Sequence, residues 1–351
     1  MPSCGLAGQR NRVSAGAFGR EWSQMMRFSR FGVFALLAIT VFLGSSCGYY
    51  NRVMARKDLV DGSNAYKGRK FPEAEQLFRA AVGRDPNGQW TEGKMAQLFL
   101  ARTLHSTFIG DRKNTAKAEE AIREYQKALA LNPNDQSSYK AIASLYENLQ
   151  QNDKWLTWVT ARSTNGGISP EQRAEALTSL AAKKNSCAND ITDTEATKKT
   201  ITKDGKPSFQ FVKPASTEDF ENLKKCIDEG TQLSSQAVGL ETPEVKSAAS
   251  LDLKALTDGE LVKKQDLFKV FESARSYKAS LTIQAMRLAE MDARIPDRDR
   301  LKGESDTFRK SFIELSDIVK KIQAEIDERK AKIAAEAPGG GGAANINANK
   351  K

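Results

Sequence analysis

The chain has 351 residues, with 54 Lys and Arg against 44 Asp and Glu, a net charge of +10, and 28% charged and 40% hydrophobic residues. That balance fits a globular body with room for two domains or one elongated array, and it excludes a multi-span membrane protein. A single histidine, His105, and no cysteine cluster at metal spacing exclude a zinc hydrolase site and most imidazole-based triads.

Part of the positive charge sits at the N-terminus, in Arg10, Arg12, Arg20, Arg27 and Arg30 against Glu21. The rest is spread over interleaved Lys and Glu. No basic run is interleaved with aromatics, so no nucleic-acid partner is expected. Residues 1–46 read as a leader. Phe31–Leu43 is a 13-residue apolar run behind Arg27 and Arg30. It is too short for a spanning helix of about 20 residues and right for the apolar part of a secretion signal. The stretch before it is long for a signal, and Met25 or Met26 offers a more ordinary start than Met1. The run ends in Leu43-Gly44-Ser45-Ser46-Cys47, which resembles a bacterial lipobox over 43–47, with Gly44 where the pattern has leucine. The resemblance implies lipidation of Cys47 and export to a membrane surface. The glycine after it, Gly48, favours the periplasmic face of the outer membrane. An uncleaved inner-membrane signal anchor, or ordinary signal cleavage nearby, stays open.

Residues 47–162 carry an internal repeat. The pattern Ala-x3-aromatic-x2-Ala-x4-Pro occurs as Ala74, Phe78, Ala81, Pro86 and again as Ala121, Tyr125, Ala128, Pro133. Gly62 precedes the first copy at the matching offset, and Tyr139, Ile142, Ala143 and Tyr146 follow the second as the start of another helix. These residues resemble the tetratricopeptide repeat, which implies stacked antiparallel helix pairs: small residues for close approach, aromatics in the groove between pairs, prolines ending each second helix. The two prolines lie 47 residues apart, more than one repeat of about 34. The excess is placed in an extended loop at STFIGDRKNTAK, a possible partner contact. His105, in AQLFLARTLHSTF, is expected to be structural. In the degenerate third pair, Trp155 and Trp158 read as packing before ligand stacking.

Residues 163–240 read as a degenerate helix pair. Ser169-Pro170-Glu171-Gln172 opens a helix to about Cys187, and Ser216-Thr217-Glu218-Asp219 opens another to about Leu233. Between them a β-hairpin is expected at about 198–212, turning at Asp204-Gly205, with Thr200, Ile201, Phe209 and Phe211 on its arms. Cys187 and Cys226 fall on the two helices as a disulfide candidate, two buried thiols being the alternative. Residues 244–337 read as a long antiparallel helical hairpin. Its seam runs through Leu267, Val270, Ala274, Tyr277, Leu281, Leu288 and Met291, then Phe308, Phe312, Leu315, Val319, Ile322, Ile326 and Ile333. The seam packs internally or serves self-association. Residues 338–351 are a low-complexity tail expected to be disordered.

The fold expected is therefore all-α: a TPR-type helical repeat array with a small β-hairpin insertion and a long C-terminal antiparallel helical hairpin. No phosphate-loop, nucleophile-elbow or zincin motif is present, so no catalytic residue and no cofactor is expected. The resemblance implies a non-enzymatic, membrane-tethered scaffold in the bacterial cell envelope that binds an unidentified protein or peptide. Its groove candidates are Asn64, Tyr66, Lys67, Arg102 and Lys140, a polar and somewhat basic set suited to acidic or C-terminal carboxylate ligands. Two other readings stay open: an outer-membrane assembly lipoprotein of the barrel-insertion or pilus/secretin type, and a peptidoglycan- or polysaccharide-binding envelope protein.

Overall fold

The computed structural model describes residues 48–336 apart from Asp204. The leader, Met25, Met26, the lipobox with Cys47, and the 338–351 tail lie outside the described residues. The chain divides into two compact units, the first ending at Leu131 and the second beginning at Asn132. The boundary falls inside the 47–162 stretch read as one array, so the third helix pair belongs to the second unit.

The first unit has four helices: α1 over 48–67, α2 Phe71–Arg84, α3 Thr91–Gly110 and α4 Thr115–Leu131. They form two antiparallel pairs of TPR type. Ala74, Phe78, Ala81 and Ala121 have no exposed surface, and Tyr125 and Ala128 are buried. The reason for the small residues is visible at Gly62, where a Cβ would come within 2.8 Å of the Phe78 ring. Phe78 in turn stacks on Phe99 of the next pair at 5.6 Å between centroids. Helices α2 and α4 stop at Arg84 and Leu131, before Pro86 and Pro133, because proline disfavours a helical residue ahead of it and supplies no N–H to continue the ladder.

The extra residues between the prolines do not form a loop. They lengthen α3 to 20 residues, through Gly110, and leave only 111–114 between α3 and α4. His105 is half-buried on that helix, its Nδ1 lying 3.4 Å from Tyr125 Oη. Burial, reinforced by the nearby Arg112 charge, lowers its pKa below the usual histidine range, in keeping with a structural residue.

The turn into α3 depends on Asp85, whose carboxylate accepts the main-chain N–H groups of Gln89 and Trp90, each at 2.8 Å. Helix α3 passes so close that a Cβ on Gly93 would clash with the Asp85 carboxylate. The substitution Gly93→Ala should destabilise the unit by roughly 1–3 kcal/mol in chemical denaturation, despite the roughly 1 kcal/mol that alanine contributes to helix propensity.

The second unit holds α5 Gln136–Asn148, α6 Asn152–Ser163, α7 Pro170–Thr192, β1 Lys198–Lys203, β2 Lys206–Phe211, α8 Thr217–Gly239, α9 Pro243–Lys246, a 3-10 turn Ala248–Ser250, α10 Asp258–Met291 and α11 Ile295–Glu336. Helices α7 and α8 run past the expected ends at Cys187 and Leu233. The strands pair antiparallel from Lys198↔Phe211 to Lys203↔Lys206. Gly205 turns with φ +74°, a value that favours glycine. Cys187 and Cys226 are joined as a disulfide between α7 and α8. Ser169 stands at the N-cap of α7, but its hydroxyl makes no capping hydrogen bond.

Within the 244–337 stretch the first long helix begins at Asp258, behind the short segments 243–250, and the chain reverses over 292–294. Pro296 and Gly303, which on sequence could have reversed the chain, lie inside α11. Entry into α10 is fixed by a capping box: Thr257 Oγ1 accepts from Glu260 N, and the Glu260 carboxylate accepts from Thr257 N. The seam differs from a simple heptad. Phe268 and Phe271 are fully buried with Ala274, Leu315 and Ile322, whereas Leu267 and Val270 pack at the margin and Ile333 is 61% exposed. Helix α10 packs on α7, α8 and α11 together, so it buries more than one stripe.

At the head of α5, Asp135 caps the helix through the N–H groups of Ser137 and Ser138, both at 3.2 Å. Burial alone would raise its pKa, but hydrogen bonds from Ser138 and Ser137 outweigh it and hold the carboxyl below the usual range. A depressed carboxyl pKa contributes stability above the unfolded value of about 3.9 and loses it as pH falls through the folded value. Asp135→Ala should therefore cost about 1–2 kcal/mol at pH 7, and thermal melts of the two proteins should converge as the pH drops below 4.

Candidate functional site

Of the five groove candidates, the structure brings two together in the first unit. Tyr66 Oη and Ser106 Oγ are 3.0 Å apart, and the Tyr66 ring lies 5.7 Å from Phe71 and 6.2 Å from Phe99. The Arg102 guanidinium sits 5.3 Å from the centre of the same Phe99 ring. Tyr66 is thus half committed to packing α1 on α3, and Arg102 borders it. Lys67 is exposed at the end of α1. Asn64 lines a different, small recess with Asp61, Lys70 and Glu73, at the turn into α2.

The fifth candidate, Lys140, lines a larger cleft in the second unit. Helices α5, α7 and α10 enclose about 670 Å³, bounded by Gln136, Lys140, Gln172, Glu175, Asp266, Lys269 and Tyr277 among others. A second recess of about 450 Å³ shares Lys140, Glu175, Ser179 and Tyr277 and continues to Tyr139 and Trp155. Lys140 Nζ and the Glu175 carboxylate form an ion pair at 2.6 Å between α5 and α7.

Beneath this pair lies a stack built by the degenerate repeat. Trp158 packs on one face of Tyr139 at 5.6 Å with planes 18° apart, and the Arg162 guanidinium lies 3.7 Å from the ring centre. Trp158 Nε1 donates to Tyr139 O at 3.3 Å. Arg162 also donates to Gln136 Oε1. Trp158 and Trp155 are therefore packing residues, half-buried and buried. Gln136 Nε2, Tyr139 Oη, Arg162 Nε and Gln172 Oε1 are buried without a partner among the described residues. Burial pushes the Tyr139 phenol well above its ordinary range, so it is a neutral donor at any physiological pH. Burial likewise lowers Arg162, against the nearby Tyr139 and Glu175, but a guanidinium stays protonated.

The cleft thus offers donors and acceptors, with charges of both signs on its walls. That chemistry suits a polypeptide backbone with polar side chains. Among the described residues no group of three His, Cys, Asp or Glu could hold a metal ion, and no helix is long and apolar enough to cross a membrane.

Sequence reasoning missed Gln136, Arg162 and Gln172. Arg162 had a usable signal: it stands on the buried stripe Trp155, Val159, Arg162 of α6, where an arginine has to be stacked or paired. Tyr277, a position of the expected seam, lines the cleft.

No family model and no curated protein matches the sequence. A solved structure described as "Functional Characterization of Pseudomonas Aeruginosa pilF" is 15% identical, covers 78% of this chain and 99% of its own, and superposes with a TM-score of 0.28. Similarity at that level leaves the role to be argued from this chain's own geometry.

Proposed function

We propose that this chain is a non-enzymatic TPR-type binding protein of the bacterial envelope that holds an extended polypeptide segment in the α5–α7–α10 cleft. The observation that carries this reading is the pair Gln136 and Gln172, which line a cleft with walls of both charges and each hold a buried side-chain atom without a partner among the described residues. Each such group left unpaired costs roughly 1–3 kcal/mol, and a bound main chain supplies both kinds of partner. The resemblance to tetratricopeptide repeats and the lipobox-like Cys47 support the same reading. In it, lipidated Cys47 holds the protein at a membrane, and two or more acyl chains give durable anchoring.

Two experiments test it. Mass spectrometry of the mature N-terminus distinguishes an acylated Cys47 from an ordinary signal-peptidase end or retained residues 25–46. A photocrosslinking amino acid at Lys140, in the full chain in native membranes, should trap a protein, while the same group at Lys67 should not. Glycan strands co-purifying in place of a trapped protein would overturn the proposal in favour of the polysaccharide reading.

A further inference from the structure

The β-hairpin plays no part in the cleft. It is a two-stranded sheet in an otherwise helical unit, and two strands alone are marginal in water. Phe211 anchors its base in a core with Leu223, Ile227, Leu288 and Met291. The guanidinium of Arg287 lies 4.6 Å from that ring, and β2 is the strand that packs on α10.

The register fixes what the outer strand presents. Val212 N donates to Thr197 O at 2.9 Å just below the hairpin, which sets the alternation of an antiparallel ladder. The pairs 199:210, 201:208 and 203:206 are then the hydrogen-bonded ones, and 198:211, 200:209 and 202:207 are not. Pro207, which has no N–H, stands at a position where none is needed. By the same alternation Thr200 and Thr202 of β1 point their main-chain N–H and C=O groups outward, and both residues are exposed. Lys198 N, at the base, is already used by Thr194 O at 2.8 Å. The β2 edge is interrupted by Pro207, so β1 is the edge open to a further strand.

The two faces of the hairpin differ. One carries Thr200 opposite Phe209, the latter 54% exposed, with Lys198 Nζ 4.5 Å from its ring centre and already paired with Asp193. The other carries Lys199, Ile201, Ser208 and Lys206. Lys199 Nζ donates to a main-chain carbonyl, that of Glu195, so its charge is not neutralised there by a carboxylate. Lys199, on the edge strand, repels a second copy of the same edge. It favours an acidic strand instead.

We propose that the β1 edge takes up an extended partner segment in which acidic and apolar residues alternate, acids against Lys199, apolar side chains on the face of Thr200 and Phe209, the main chain paired to Thr200 and Thr202. This is strand addition to a sheet edge, where backbone bonds give affinity and alternate side chains give selectivity.

The test uses the full chain purified in detergent, with the peptide (Glu-Val)3 as probe, (Lys-Val)3 as the charge control and a copy of the acidic probe carrying a central proline. Amide hydrogen exchange should show Thr200 and Thr202 protected by the acidic probe alone. Thr200→Pro removes only an outward N–H and should weaken binding roughly tenfold, as loss of a main-chain bond does. Thr200→Val keeps the N–H and should bind as the wild type does. Unchanged exchange at Ile201 and Val212 certifies that the hairpin is intact. Lys199→Glu should shift preference from the acidic probe towards (Lys-Val)3. The proposal is overturned by no binding of the acidic probe, by equal binding of the proline-interrupted probe, by unaltered affinity in Thr200→Pro, or by Thr200 protection in a concentration-dependent dimer without peptide.

Discussion

Opening the Cys187–Cys226 bridge lowers the unfolding free energy of the second unit by about 4 kcal/mol in the chain-entropy account. The two cysteines are 39 residues apart in sequence, and the loop they close contains the whole hairpin and the first turns of α8. Without the bond, the unfolded chain regains the freedom of that loop, while the folded state keeps its ion pair between Lys184 and Glu229 beside it. Cys226 is 4% exposed among Leu223, Ile227 and Phe211, so a serine there adds a buried hydroxyl to the loss. Two routes separate these terms: Cys187→Ala, at the less buried partner, and the wild type under reductant. Equilibrium urea unfolding should show both falling by a similar amount, with Cys226→Ser lower still. An oxidised wild type no more stable than the reduced one would refute the claim. The first unit has no part in this bond, so its transition should not move.

The helix pairs were legible in the sequence because their determinants are local. Ala74, Phe78 and Ala81 recur at fixed spacing, and Gly62 sits where the Phe78 ring must fit. The hairpin was legible for a similar reason, two short arms around Asp204-Gly205. The length of α3 was not. Its last turns, through Thr107, Phe108, Ile109 and Gly110, carry β-branched and glycine residues that read as a loop. They stay helical because Phe108 is buried on one side of the helix, a tertiary effect that overrides propensity. The seam of α10 was half legible, since a heptad reading assumes one neighbour and α10 has three. The floor of the cleft was least legible. It depends on Gln136 of α5 and Gln172 of α7 meeting there, with Arg162 of α6 holding Gln136 from behind, and no spacing rule links them.

Arg275 shows what such non-local meetings are worth. It reaches from α10 to Glu241 in the segment after α8, with Nε to Oε1 at 2.6 Å and Nη2 to Oε2 at 2.9 Å, and its Nη1 donates to Ser311 O of α11 at 3.0 Å. The side chains are 15% and 7% exposed, so this is a forked, nearly dry pair that ties three segments. Removing one partner strands the other charge away from water. Arg275→Met should therefore cost about 3–5 kcal/mol, and Glu241→Leu a comparable amount. The double replacement Arg275→Met with Glu241→Leu should cost much less than the sum, because two apolar side chains fill the space and no charge is left behind. An exposed pair supplies the contrast: Lys320 and Asp317 are 71% and 55% exposed, and breaking their bridge should change stability by no more than about 1 kcal/mol. Unfolding measurements on the four members of the Arg275–Glu241 cycle decide the matter. If the single losses are small, or the double loss equals their sum, the pair acts as two independent surface charges and the tie between the three segments lies elsewhere.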